Sequence, residues 1–239
     1  MIQKITSKDN AKVKHAFSLH QNKYRNEYQE FLVEGFKAIE LGLEKNLVKE
    51  VFTLKEILDF PREIPQYLVS EEVLKKISSA TNPEGIIAVA NIPEVSKKEY
   101  KKVVYLDQIN DPGNLGTIIR TALAFNYDAV VLSKNTVSPY NEKALAASKG
   151  AIFKIPVFFD DLRTYCDNQK IIVTTLDSDS VPLNSIKKED NFIIVLGNEA
   201  NGVSSKIVEK AHIKIKIDMK NIDSLNVAVA GGIVLYTLA

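Results

Sequence analysis

The chain has one cysteine, Cys166, among 239 residues. That excludes a disulfide framework and a cysteine-built zinc site, and it fits a reducing cytosol. Histidine is almost as scarce. His15, His20 and His212 are scattered, none with a second histidine or a carboxylate at ligand spacing, so all three are read as structural or surface residues and no metal is expected. Long apolar runs are missing too. The longest, LNVAVAGGIVLYTLA from Leu225 to Ala239, is too short to span a bilayer. The opening MIQKITSKDN lacks the apolar core of a signal peptide, so a cytoplasmic location without membrane attachment is expected. Nor is there an excess of charge. A net charge of +1 says nothing about a polyanionic partner, although its distribution says more. Up to Asn26 the chain carries Lys4, Lys8, Lys12, Lys14, Lys23 and Arg25 against Asp9 alone. Such a run makes a solvated face and would also suit phosphate contacts.

What remains is the balance of a globular chain, 45% apolar and 26% charged, long enough for one large domain or two small ones. Val13, Phe17, His20 and Tyr24 mark one side of a helix predicted over Asn10 to Tyr28. Strands are predicted at Phe31 to Val33, Val48 to Leu54, Tyr67 to Val69 and Ile86 to Ile92. Helices at Gly35 to Lys45 and at Ser70 to Ser79, the second capped by Ser70, alternate with them, which describes a small α/β unit. The polar, lysine-rich stretch IPEVSKKEYKK from Ile92 to Lys102 reads as a linker. It separates a domain over 1–95 from one over 103–239, with the linker itself at 96–102.

Beyond it, strands are predicted at Val103 to Leu106, Ala129 to Leu132, Ile155 to Phe158, Ile171 to Leu176, Phe192 to Leu196 and Ile213 to Ile217. Helices are predicted at Asn114 to Phe125, Asn141 to Lys149, Asp160 to Asp167, Ser204 to His212 and Ser224 to Leu238. Near-continuous apolar strands separated by helices imply a parallel sheet covered on both faces. Ligands bind beyond the carboxyl ends of such strands, and those ends carry Asp107, Thr175, Gly197 and Ile217.

Three stretches place polar residues there. In LDQINDPGNLGTIIR, Leu106 to Arg120, Asp111-Pro112-Gly113 breaks a strand and Asn114 opens a helix. Arg120 lies about a turn and two thirds further on, so a ligand touching both would lie across the first turns. Gly116 removes a side chain where a backbone or a ligand could come close. GNEANGVS, Gly197 to Ser204, copies a phosphate-binding loop, but Val203 stands where the lysine belongs, which argues against an NTPase. Its glycines instead offer bare N–H and C=O groups to a flat ligand, and Glu199 projects where it can pair with an arginine. In IKIDMKNIDSLNVAVAGG, Ile215 to Gly232, a strand ends at Ile217 and Ser224 caps a helix apolar on every side, suited to a core or a subunit interface. Asn226 inside its first turn is costly without a partner.

NLGTIIR at Asn114 to Arg120, LGNEANGVS at Leu196 to Ser204 and IDMKNIDSLNVAVA at Ile217 to Ala230 stand in the order and spacing of three signature motifs. Together they closely resemble those of the SpoU/TrmH family of SPOUT RNA 2'-O-ribose methyltransferases, over about residues 103–239. Asp218 replaces the usual proline and Ala200-Asn201 the common Gly-Glu. The first ninety or so residues resemble, less closely, the L30e-like RNA-binding domain that many members carry in front.

The resemblance implies an α/β protein whose C-terminal, mostly parallel sheet is flanked by helices and tied in a trefoil knot, preceded by the small L30e-like domain. S-adenosylmethionine would lie against the backbone of Thr175, Leu196, Gly197, Ile217, Met219 and Leu225. The substrate would be RNA, 23S ribosomal RNA ahead of transfer RNA. The alternatives are a transfer RNA methyltransferase or a non-catalytic RNA-binding or resistance factor on the same fold. A homodimer would form through the C-terminal helix and the knot. Arg120 matches the family's catalytic arginine. A guanidinium hardly deprotonates, so it is expected to grip the neighbouring phosphate and stabilise the forming alkoxide rather than act as a base. Glu199 would orient Arg120, within one chain or across the subunit boundary, while Asn114, Ser224 and Asn226 would position the ribose or shape the loop.

Overall fold

Valine, isoleucine and phenylalanine fill the segments that pair into sheets in the computed structural model, which describes residues 2–95, 99–165, 169–187 and 189–239. The contacts divide the chain into two units, Met1–Glu94 with Tyr140–Glu142 and Val95–Pro139 with Lys143–Ala239.

The first unit runs β1 (Ile2–Ile5), α1 (Ala11–Ser18), α2 (Asn22–Tyr28), β2 (Glu30–Glu34), α3 (Phe36–Glu44), β3 (Val48–Thr53), β4 (Gln66–Val69), α4 (Glu71–Ile77) and β5 (Ile86–Asn91). Its sheet has the order β1-β4-β3-β5-β2. β1, β4 and β3 are parallel, and β5 runs antiparallel to β3 and β2. β1 is not among the predicted strands because it is a polar edge, with Ile5 its one buried residue. Ser70 caps α4 as expected, accepting from the Val73 amide.

The single helix expected over Asn10 to Tyr28 is two. The Leu19 amide turns back to the Ala16 and Phe17 carbonyls and closes α1. The guanidinium of Arg25 then takes the Leu19 and His20 carbonyls at 2.9 and 2.8 Å, which occupies acceptors that a continuing helix would have used. Arg25 is therefore buried and does not belong to a solvated basic face. Phe17, on the same side of the predicted helix as Val13, is 45% exposed.

The second unit runs β6 (Lys102–Leu106), α5 (Pro112–Ala124), β7 (Ala129–Leu132), α6 (Glu142–Ser148), β8 (Val157–Phe159), β9 (Lys170–Thr174), β10 (Val181–Pro182), β11 (Phe192–Leu196), α7 (Ser205–Val208), β12 (Ile213–Lys216) and α8 (Val227–Leu238). The seven-stranded sheet has the order β10-β12-β9-β11-β6-β7-β8, and every pairing is parallel. β6, β7 and β11 are the apolar centre expected of a sheet covered on both faces. Two strand residues with a proline make β10, at the edge where proline is tolerated.

The helices differ more from expectation. Over Asp160 to Asp167 the chain makes a 3-10 turn at Leu162–Tyr165; Cys166, Asp167 and linker residues 96–98 lie outside the described residues. α7 is one turn where nine residues were expected. Gly116 serves a backbone: a Cβ there would sit 2.2 Å from the Ala144 carbonyl oxygen of α6. α8 is two-faced. Val227, Gly231, Val234, Leu235 and Leu238 are buried while Val229, Ile233 and Tyr236 are 53%, 39% and 69% exposed.

Beneath α1 in the first unit, buried Glu30 pairs with Lys49 and with His15 Nε2 at 2.6 Å. Burial pushes its carboxyl up, but the hydrogen bonds from Lys49 and His15 outweigh it and hold the group below the ordinary 4.5. A carboxyl depressed in the folded state stabilises fully above its unfolded value, and that contribution vanishes as pH falls through the folded one. Glu30→Gln should therefore melt lower at pH 7 and lose less stability between pH 7 and about pH 3. An acid limb as steep as wild type would remove Glu30 from that role.

Candidate active site

The carboxyl ends of β9, β11 and β12 open onto a cavity of about 960 Å³. Its wall includes Thr175, Leu196, Gly197, Ile217, Met219 and Leu225, with Glu199 and Ser224 beside them. Val227, Ala230 and Val234 of α8 close the apolar side. The six residues expected around a cofactor thus share one hollow. Its chemistry of apolar walls edged by exposed main-chain polar groups suits a flat neutral base.

The glycines follow from a loop that closes on itself. Asn198 and Gly202 exchange both main-chain hydrogen bonds at 2.9 Å. A Cβ on Gly197 would stand 2.2 Å from the Gly202 carbonyl carbon, and Gly202 has φ +66°, the region glycine favours. The Asn198 carboxamide oxygen accepts from the Ala200 and Asn201 amides at 2.9 and 3.1 Å.

Next to the cavity, side chains from the three stretches form one hydrogen-bonded chain. Asn226 Nδ2 donates to Asn114 Oδ1 at 3.0 Å, and Asn114 Nδ2 donates to Glu199 Oε1 at 3.0 Å. The Asn110 and Asp111 amides approach the same carboxylate at 3.5 Å. Asn226, not Ser224, is the cap of α8, accepting from the Ala228 and Val229 amides at 2.9 and 3.3 Å. Asn226 is exposed at the helix start, so the cost expected of it inside the first turn does not arise; its oxygen takes the helix end and its amide takes Asn114. The cap of α5 is Asp111, which accepts the Asn114 amide at 2.8 Å. That leaves the Asn114 side chain free to bridge the two stretches.

Arg120 stands apart. It is exposed on α5, does not line the cavity, and pairs with none of the described residues. Within one chain Glu199 takes Asn114 instead, so an Arg120–Glu199 pair is not formed there. Among the described residues, no group of three or more His, Cys, Asp or Glu could hold a metal.

Residues 101–236 match the SpoU rRNA Methylase family, and residues 10–88 match the MRM3-like substrate binding domain. The chain belongs to the SpoU rRNA methylase family. It is 35% identical to the 23S rRNA (guanosine(2553)-2'-O)-methyltransferase RlmP of Bacillus subtilis, over 99% of both chains. The AdoMet-bound rRNA methyltransferase from Sinorhizobium meliloti superposes with a TM-score of 0.87 at 27% identity, covering 99% of this chain and 97% of that one. The A. aeolicus TrmH/SpoU tRNA modifying enzyme, also 27% identical, covers 59% of this chain and 75% of its own, with a TM-score of 0.52.

This SpoU chain carries two further site residues that the sequence reading did not assign. Asp107, 3% exposed, accepts the Ser204 amide at 2.8 Å and so pins the far end of the Gly197–Gly202 loop. Asn198 Nδ2 donates to the Gln108 carbonyl at 2.8 Å. Gln108 is held in the left-handed region at φ 59°, its amide on Ser133 Oγ at 2.9 Å. Ser133 in turn meets Thr136, whose hydroxyl donates to the Leu106 carbonyl at 3.0 Å. Asp107 was legible as a strand-end carboxylate and Asn198 as part of a motif. Their partners are main-chain groups, which leave no sequence signal.

Asp107→Leu strands a part-buried amide, at a cost of about 1 kcal/mol. Amide exchange across Asn198 to Ser204 should accelerate severalfold, whereas Asp107→Asn, which keeps an acceptor, stays near wild type. Unchanged exchange in the leucine variant would show that the loop is held by other contacts.

Proposed function

We propose that this protein transfers the methyl group of S-adenosylmethionine to a ribose 2'-hydroxyl of RNA, with 23S ribosomal RNA as its substrate. The observation that carries this reading is the Asn226–Asn114–Glu199 chain beside a cavity walled by the three motif loops. Family membership, the B. subtilis relative named for 2'-O methylation of 23S rRNA and the cofactor-bound S. meliloti relative support it. The correspondence to ribosomal enzymes runs the full length, while that to the transfer RNA enzyme does not. The first unit is then the RNA substrate-binding domain, the cytoplasm the place of work, and the trefoil knot the path of the C-terminal segment.

The cavity fits the cofactor. The backbone of Thr175, Leu196, Gly197, Ile217, Met219 and Leu225 would hold the adenine and ribose, with apolar side chains against the ring faces. When bound, S-adenosylmethionine supplies an electrophilic methyl on a sulfonium. The protein must align the hydroxyl with that methyl and stabilise charge growing on oxygen. Glu199 and Asn114, tied to each other and to α8 through Asn226, fix the ribose side of the site, and Ser224 shapes the loop at its rim. Arg120 acts as a cation, not a base, toward the adjoining phosphate and the developing alkoxide.

Arg120 reaches the site from the second subunit of a homodimer built on the open stripe of α8. Val229, Ile233 and Tyr236 are the exposed apolar residues of that stripe, and Tyr236 lies 5.4 Å from Phe125, just past the end of α5. This joins the proposed interface to the helix that carries Arg120.

Arg120→Ala should bind S-adenosylmethionine like wild type in calorimetry and lose transfer to RNA about a hundredfold or more. Near-normal turnover would remove Arg120 from the mechanism. Tyr236→Glu should sediment as a monomer and lose transfer along with dimerisation. A fully active monomer would sink the shared-site arrangement.

A further inference from the structure

α2 is built inside out. The residue it buries is Arg25, while Tyr28 is exposed and Tyr24 half-buried, the reverse of an amphipathic helix that uses apolar side chains to pack. Tyr24 and Tyr28, one turn apart, stack at 6.1 Å with their planes within 10°. Lys23 Nζ lies 5.4 Å over the Tyr24 ring, and the His15 ring of α1 lies 4.7 Å from Tyr28. Tyr28 is 42% exposed. On α1, Phe17 is 45% exposed with Lys76 Nζ 5.7 Å over its ring. Each open ring system thus carries a cation. The carboxylates under this face, Glu30 and Glu50, are buried and paired inward with Lys49, His15 and Lys12. Among the residues of α1 and α2, Glu27 is the one acid.

Nothing about cofactor binding requires such a face. Exposed rings offer π-surfaces to any base, and ammonium groups beside them meet the phosphates between bases. A duplex keeps its bases stacked on one another, so the chemistry fits unpaired RNA rather than a helix.

We propose that the α1–α2 face binds unpaired nucleotides of the RNA substrate, with bases on Tyr28 and Phe17 and backbone phosphates on Lys23 and Lys76. This rests on the RNA methyltransferase reading and adds the position and strandedness of the contact.

The test uses the full chain, a fluorescein-labelled single-stranded RNA of about 12 nucleotides, and a duplex of the same sequence. Tyr28→Ala and Phe17→Ala should each weaken single-strand binding about tenfold or more, while Tyr28→Phe keeps it. Lys23→Ala should lower the salt slope by about one, and wild type should prefer the single strand. Calorimetry of S-adenosylmethionine should be the same for all variants. Wild-type preference for the duplex, or undiminished binding by Tyr28→Ala and Phe17→Ala, would overturn the proposal. If an alanine variant melts too low to assay, the salt slope of Lys23→Ala decides alone, and an unchanged slope overturns it. Failure of wild type to bind S-adenosylmethionine would instead count against the methyltransferase reading.

Discussion

Asp107 holds the Ser204 amide from the carboxyl end of a strand whose other residues are almost wholly apolar, and the geometry of the cavity rests on that bond. Around it the loop after β6 acts as a template. The Gln108 carbonyl takes the Asn198 side chain, and the Ser133–Thr136 pair holds Gln108 from behind. A loop with two glycines would otherwise sample many shapes, because glycine loses more conformational freedom on ordering than any other residue. Held at both ends and closed across its middle by the Asn198–Gly202 pair, it presents fixed N–H and C=O groups to the cavity.

The second constraint is the run of carboxamides. Asn114 can donate and accept at once, so it joins Asn226 to Glu199 and couples α5, the β11 loop and α8. Both links lie at the open rim of the cavity, so their contribution is to fix geometry and not to relieve burial. The three motifs are therefore coupled physically as well as by sequence order. Arg120 is outside this coupling. A single chain builds the hollow and its carboxamide chain but leaves the arginine on an exposed helix face, and the open stripe of α8 lies against the end of that same helix. In the dimer proposed above, assembly would control when this cation meets the ribose.

Legibility in the sequence varied with the kind of force at work. Strands such as Ala129–Leu132 and Phe192–Leu196 were read to the residue, since continuous burial writes itself as an unbroken apolar run. The helices were read less well. The break at Leu19 comes from an arginine capturing carbonyls five and six residues back, and the short α7 lies where a longer helix was expected. α8 read as apolar on all sides, and only packing divided it into a buried face and an open one. The six cavity residues were named from motif resemblance, which bundles positions whose shared geometry the residues themselves do not express.

The sequence by itself determined the parallel sheet and the three polar strand ends, because burial and turn chemistry act over a few residues and leave periodic traces. Tertiary structure alone decided that Asn226 rather than Ser224 caps α8, that Glu199 takes Asn114 rather than Arg120, and that Asp107 anchors the Gly197–Gly202 loop. Those choices depend on which distant groups come within hydrogen-bond reach once the strands are in register, and much of the bonding is to main-chain atoms, which every residue possesses and which no sequence pattern can mark.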